Sequence, residues 1–372
     1  MNPKKLKVED LPDEARTALE LFPEFEALEF NETGANGYVL LGHHRVLRRQ
    51  VALKIYFHED SAIDQEPSIL AQVNHENVLK VFDARKVAED CSFYMTPIAE
   101  EGDLSRFLEK YYLSTSLSHS LLCQLLSGIS ALHAPEINIV HRDLKPENLL
   151  VHDDKIVIAD FGSARKCDGA TGIAPASKHS ILFRPPEAFG DEAFFDRSSD
   201  VYQAGLIGYM LFGGTLSNDL LSYLNKQELK GLHALNQNDD FATSQFIDQC
   251  IERRVCRQRL LDWSSIPCFV PSPLKRVLRK ATKPHGERYA TVSEFLAELA
   301  RVRNGLPDWI RTRKGLKLEN WKGSDFLLSE ENGVYCVKKK RHASKNFRTD
   351  NSINSGNLND VFRQLKDGAG LP

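Results

Sequence analysis

His141-Arg142-Asp143-Leu144-Lys145-Pro146-Glu147-Asn148 sets a histidine, an aspartate, a lysine and an asparagine at fixed spacing, and Asp160-Phe161-Gly162 begins twelve residues after Asn148. The first segment can supply a proton acceptor, a cation and an oxygen ligand for a metal. The second can supply a carboxylate for the same metal. A chance match over eight such positions is very rare, so this stretch is the anchor for reading the rest of the chain.

Short apolar runs at 149–151 and 156–159 flank these motifs, and each predicts a strand. Upstream, Leu117, Leu121, Leu122, Leu125, Leu126, Ile129 and Leu132 recur at three- and four-residue spacing, which predicts a helix that Pro135 ends. Nearer the start, the spacing becomes that of a strand: Val51, Leu53, Ile55 and Phe57 fall on one face and Ala52, Lys54 and Tyr56 on the other. Residues 25–57 read as strand–turn–strand punctuated by Gly34 and Gly37, followed by a short helix at 66–73 and strands at 78–81 and 93–96. From Asp200 to about residue 305 the pattern is mostly helical. A strand-rich start and a helix-rich continuation predict two lobes of one α+β unit, with a ligand cleft between them.

The chain has 372 residues, 42% hydrophobic and 27% charged, an ordinary composition for a globular protein. It has no stretch of the roughly 18 apolar residues that a membrane helix needs. The charged opening Met1-Asn2-Pro3-Lys4-Lys5 is not that of a secretory leader. Seven scattered cysteines with no Cys-x-x-Cys pair read as reduced thiols of a cytoplasmic protein and argue against a zinc site. The net charge of −3 hides an asymmetry. Residues 306–372 hold 13 Lys and Arg against 8 Asp and Glu, and the rest of the chain holds 35 against 43. Three segments are expected: an extension at 1–24 packed on the body, a catalytic unit at 25–305, and a basic module at 306–372.

The motifs resemble the eukaryotic-type serine/threonine protein kinase family, in the family's order, over roughly residues 25–303. The resemblance implies a bilobal protein-kinase-like fold, with an antiparallel upper sheet plus one helix above a mainly helical lobe. It implies transfer of the γ-phosphoryl group of ATP to serine or threonine hydroxyls of a protein, with Mg²⁺ (or Mn²⁺) as cofactor. Asp143 would be the catalytic base and Lys145 would steady the transferring phosphate. Asn148 and Asp160 would hold the metal. Lys54 would anchor phosphates with Glu66 as its partner, since Glu66 shares a helix face with Ile69, Leu70 and Val73. Ala52, Val39 and Leu150 would sandwich the adenine, Thr96 would stand at the gate of a back pocket, Ile98 would meet the adenine edge in the hinge, and Asp103 would meet the ribose.

Two departures stand out. Glu32-Thr33-Gly34-Ala35-Asn36-Gly37-Tyr38-Val39 aligns with the family's glycine loop, but Glu32 replaces the first glycine, leaving Gly34 and Gly37 for the turn over phosphates. Pro67 follows Glu66, and proline fits only a helix's first turn, so the helix is expected to begin late, with Asp64 or Gln65 near its cap.

By the same resemblance, Arg184-Pro185-Pro186-Glu187 and Arg288 form a buried ion pair, and Asp200 braces the catalytic loop. Leu70, Val81, His141 and Phe161 form an apolar spine. Arg142 offers a cationic pocket to a phosphate in the segment 160–187, with the chain itself as substrate at Thr171 or Ser177. Ser180 would be architectural.

In the tail, 325–330 and 334–337 around Asn332-Gly333 read as a hairpin, 343–358 as loop, and Asn359-Asp360 as the cap of a terminal helix. Lys338-Lys339-Lys340-Arg341, with Lys345 and Arg348, could touch nucleic acid, but a solvated strand edge guarded by lysines is the favoured reading. No membrane partner is expected. The competing functions are a kinase-like binding scaffold without catalysis, a small-molecule kinase, and a nucleic-acid-binding protein regulated by its kinase.

Overall fold

The computed structural model describes residues 6–31, 37–57, 66–175, 180–235, 239–342, 344 and 346–371. Helix α1 (Asp13–Glu20) precedes strands β1 (Phe25–Asn31), β2 (Gly37–His44) and β3 (Arg49–Phe57), so the region read as two strands holds three. Helix α2 (Glu66–Gln72) and strands β4 (Asp83–Lys86) and β5 (Cys91–Pro97) complete the upper lobe. Its antiparallel sheet runs in the order β1-β2-β3-β5-β4. The strand expected at 78–81 lies instead at Asp83–Lys86. Val78 makes only an isolated bridge to Ile158 in the lower lobe, because this apolar stretch is spent on the junction between lobes.

The two faces of β3 enter two different cores. Val51, Leu53 and Ile55 are sealed beneath α1, with Ala15, Ala18 and Phe22. Tyr56 and Tyr94 belong with α2 and the lower lobe. Phe57, assigned from its alternation to the first face, is exposed at the strand end and meets the Tyr38 ring edge-on. Leu11, α1 and Phe22 thus pack onto this face of the sheet.

The lower lobe begins with α3 (Leu104–Lys110) and α4 (Thr115–Leu132). Asp103 and Ser114 cap these helices by accepting from Arg106 N–H and Leu117 N–H. Short strand pairs follow. β6 (Ile139–Val140) pairs with β9 (Arg165–Lys166), and β7 (Leu149–His152) pairs with β8 (Lys155–Ile158). β10 (Ala174–Pro175) pairs with β11 (Phe194–Phe195). Helices α5 (Arg197–Leu211), α6 (Lys226–His233), α7 (Asp240–Cys256), α8 (Ser272–Ala281) and α9 (Val292–Arg303) complete the lobe. Helix α5 is buried nearly all round, as a helix with little amphipathic asymmetry must be.

The tail is larger than the expected hairpin. Strands β12 (Trp309–Thr312), β13 (Gly315–Trp321), β14 (Ser324–Glu331), β15 (Val334–Arg341) and β16 (Arg348–Ser355) form one antiparallel meander, with helix α10 (Leu358–Ala369) laid across it. The hairpin at Asn332-Gly333 is present. The segment read as loop contains β16, and the cap of α10 is Asn357, which accepts from Asn359 N–H. The basic strand β15 is not an edge: it pairs with β14 on one side and β16 on the other. Trp309, Leu318, Phe326, Val337, Phe362 and Leu365 fill this module's core. Phe269 of the lower lobe enters the same core, 6.4 Å from the Trp309 ring and 6.2 Å from Phe362. Asp308 accepts from Ser116 N–H at 2.7 Å and so serves the first turn of α4.

Candidate active site

Lys54, near the middle of β3, is the register partner of Val39 on β2 and of Tyr94 on β5. Its Nζ lies 3.2 Å from Glu66 Oε1 and 3.1 Å from Asp160 Oδ1, so the predicted pair forms and a second carboxylate joins it. Pro67 sits in the first turn of the described helix, where its missing N–H costs nothing. The proposed cap residues Asp64 and Gln65 lie outside the described residues, as do Glu32 and Gly34. Burial favours loss of the Lys54 proton, but the Glu66 and Asp160 carboxylates outweigh it and hold its pKa above the ordinary lysine value. Partial desolvation by the surrounding protein opposes the charge of the half-exposed Asp160, and Lys54 overcomes that, leaving this carboxyl below its usual range. The cluster is therefore a lysine cation set between two carboxyl groups.

Glu66 is the most heavily used of these groups. Its Oε1 also accepts the Tyr94 hydroxyl at 2.7 Å and the Phe161 N–H at 3.0 Å. Tyr94 went unrecognised in the sequence. The available signal was its place two residues before Thr96, hence on the same strand face, as a polar tip in an apolar strand.

The loop from His141 to Asn148 is held from beneath by α5. Asp200 accepts His141 N–H at 2.9 Å and Arg142 N–H at 3.0 Å, and His133 Nε2 meets the same carboxylate at 2.9 Å. Gln203 accepts Leu144 N–H and donates to the carbonyls of Arg142 and Phe183. Gln203 was also missed, although its position three residues after Asp200 puts both on one helix face. This bracing maintains left-handed backbone at Arg142 (φ 68°), and Asp160 is left-handed too (φ 59°). Such conformations cost of order 1–3 kcal/mol each and persist only where surroundings enforce them.

Asp143 Oδ2 receives Lys145 Nζ at 2.9 Å and Asn148 Nδ2 at 3.1 Å. Asp143 Oδ1 is buried and has no hydrogen-bond partner among the described residues. An unmet buried carboxylate oxygen costs free energy unless something fills the place. Asn148 also donates to the Asp143 carbonyl at 2.8 Å, so its amide N–H groups are occupied and its Oδ1 is the atom left for a cation. With the Asp160 carboxylate this is a hard-oxygen donor pair, which suits Mg²⁺ completed by phosphates and water. No cluster of three or more His, Cys, Asp or Glu able to hold a metal occurs among the described residues.

Around this centre, Ala52 pairs with Leu41 and Thr96, Thr96 is buried at the end of β5 just before Ile98, and half-buried Leu150 bridges to Asp103. Asp103 spends both oxygens on Arg106, one on its N–H at 3.0 Å and the other 3.3 Å from its Nε. Gly37 is required by space: a Cβ there would stand 2.1 Å from the Ile55 carbonyl oxygen. His141 and Phe161 are fully buried and 4.9 Å apart, with Leu70 buried and Val81 packed on the same core. Glu187 and Arg288 form the expected pair, both nearly inaccessible.

The Arg142 pocket differs from expectation. The guanidinium donates to the Ser163 carbonyl at 2.6 Å and to the Pro175 carbonyl, so backbone carbonyls already occupy it. Burial and then the neighbouring Arg165 bring its pKa down to about 10. Thr171 is tied to Asp168, to which it donates at 3.0 Å, and Ser177 lies outside the described residues. The tail lysines are also engaged: Lys338 lies 2.8 Å from Glu331, Lys340 lies 2.7 Å from Asp325, and Lys339 stands over the Phe326 ring. Lys345 lies outside the described residues. No described helix is long and apolar enough to cross a membrane.

A paired lysine, a braced loop with a carboxylate oxygen unpartnered among the described residues, and two oxygen donors beyond it are the parts that a phosphoryl-transfer site requires. A family model of the protein kinase domain matches residues 32–283, and the chain belongs to that family. Human serine/threonine-protein kinase H1 is 30% identical over 224 residues, which is 54% of this chain and 49% of the relative. Mouse testis-specific serine/threonine-protein kinase 2 is 27% identical over 199 residues, 50% of this chain and 55% of the relative. Calcium-dependent protein kinase 6 of Plasmodium berghei (strain Anka) is 30% identical over 158 residues, 41% of this chain and 10% of the relative. The matches therefore span between a tenth and just over half of these relatives.

Proposed function

We propose that the chain is an active serine/threonine protein kinase that transfers the γ-phosphoryl group of ATP to a protein hydroxyl. The observation that carries this reading is Asp143, with one oxygen held by Lys145 and Asn148 and the other buried and unpartnered among the described residues. That second oxygen is the place for the acceptor hydroxyl, whose proton Asp143 would take. Lys54, fixed between Glu66 and Asp160, would bind the phosphates of ATP. Lys145 would balance charge on the transferring group. Mg²⁺, held by Asn148 and Asp160, would supply charge neutralisation at the phosphates. Val39, Ala52, Leu150 and the segment from Thr96 to Ile98 would receive the adenine, with Asp103 near the ribose. Wild type should label a generic protein substrate from γ-labelled ATP, and Asp143→Asn should lose about 10²–10⁴ of that rate. Equal labelling by both would refute the role of Asp143. Nucleotide binding without labelling in either would instead establish the binding scaffold.

Autophosphorylation of the segment between Asp160 and Glu187, at Thr171 or Ser177, is proposed as the activating event. Thr171 is exposed, which supports access, while Asp168 beside it would repel a phosphate. Mass spectrometry of an active preparation tests this, and a segment free of phosphate would overturn it.

A further inference from the structure

We infer that Tyr94 is a positioning residue that latches Glu66, and with it helix α2, in the arrangement that holds Lys54. This rests on the kinase reading for its function but on geometry for its substance. Helix α2 has only seven described residues, with Pro67 in its first turn, and so short a helix has little stability of its own. The Glu66 carboxylate is nevertheless buried and must be hydrogen-bonded from outside the helix. Lys54 cannot be the whole answer, because it also serves Asp160. The shortest of the contacts to Glu66 is the Tyr94 hydroxyl at 2.7 Å, and Tyr94 is buried to 1% exposure. Tyr94 sits on β5 directly across from Lys54 in the register, and the Lys54 ammonium lies 5.6 Å from the centre of its ring. One phenol thus fixes the carboxylate against the rigid sheet, while the Phe161 N–H fixes it against the Asp160-Phe161-Gly162 segment.

The consequence is a bias between two states. With α2 in place, the Tyr94 hydroxyl has its acceptor. With α2 swung away, the hydroxyl loses the Glu66 carboxyl as its acceptor, and loss of that hydrogen bond shifts such an equilibrium by up to roughly ten-fold. Phenylalanine at 94 would fill the same space and remove the bias. A nucleotide that needs Lys54 in position would then bind more weakly in proportion to the lost competent fraction.

The test uses the full chain carrying Asp143→Asn, so that binding is read without turnover. Tyr94→Phe should weaken a non-hydrolysable ATP analogue with Mg²⁺ about ten-fold. Amide hydrogen exchange over residues 66–73 should become faster without nucleotide, while the thermal midpoint stays near its parent's. In a Glu66→Ala background, the same substitution should have a much smaller effect, because its acceptor is already gone. Unchanged exchange over 66–73 in Tyr94→Phe would overturn the inference. If no form binds nucleotide, the kinase reading falls, and the exchange result still decides whether Tyr94 is the latch.

Discussion

Replacing Asp200 by asparagine probes how the catalytic loop is held. The carboxylate is fully buried and takes His141 N–H and His133 Nε2 on Oδ2, and Arg142 N–H on Oδ1. An asparagine has the same outline but only one acceptor oxygen, so its NH2 must face a donor whichever way it turns. If its oxygen serves His141 and His133, the Arg142 N–H is stranded; the opposite orientation strands the His141 N–H. A stranded buried N–H costs about 1–3 kcal/mol, and a hydrogen bond to a charged acceptor contributes about 1.5–3 kcal/mol. A net loss of about 3 kcal/mol is expected, which at roughly 2 °C per kcal/mol for a large domain lowers Tm by about 6 °C. Arg142 precedes Asp143, so the released backbone also displaces the base, and a shift near 1 Å costs about 10²-fold in rate. KM for ATP should hold, because Lys54, Glu66 and Asp160 do not touch Asp200. Thermal melting and steady-state labelling at varied ATP measure both effects. A variant with wild-type kcat would refute the view that this carboxylate positions Asp143, even if its Tm falls.

Lys54→Met removes the cation between Glu66 and Asp160, so labelling should fall by about 10²–10³, and the Asp160 carboxyl should titrate at higher pH by NMR because its lowering rests on Lys54. Trp309→Ala deletes a fully buried ring from the tail core and should cost about 3–5 kcal/mol; limited proteolysis should then cut within 309–371 first, with labelling little changed. Glu228, whose pKa is drawn down to about 2 chiefly by its hydrogen bond to Arg254 against the opposing effect of burial, should stabilise the fold most above its ordinary value of 4.5. Urea titrations of wild type and Glu228→Gln should therefore differ by of order 1 kcal/mol near neutrality and converge as pH falls from 4.5 toward 2.

The catalytic half of the site was legible because its chemistry is concentrated in contiguous residues: Asp143, Lys145, Asn148 and Asp160 sit in two short motifs. Periodicity placed Lys54 and Glu66 on their strand and helix faces, and the family resemblance supplied the roles expected of them. The supports were not, because they act across long separations. Tyr94 reaches Glu66 over 28 residues and Gln203 reaches Leu144 over 59, and nothing local to either side chain signals so distant a partner. The tail failed for another reason. Among the side chains of β16 that are described, only Ile353 is buried, and the strand lies at the sheet's edge, so its polar composition looked like loop. In β13 the alternation of buried Leu316 and Leu318 with Lys317 and Glu319 was present but short. The carbonyl partners of Arg142, at Ser163 and Pro175, were not legible, because composition does not distinguish a carbonyl from a phosphate as an arginine's partner.

Strand β3 writes into two cores at once. Val51, Leu53 and Ile55 lie under α1, whereas Ala52, Lys54 and Tyr56 look toward the cleft. A saturation scan along this strand should therefore give a phenotype that alternates with every step. One residue would govern how much folded protein accumulates in a cell, and the next would govern how well each folded molecule works. Variants from the two series should rescue differently: cooling should restore Val51, Leu53 and Ile55 variants and leave Lys54 variants as slow as before.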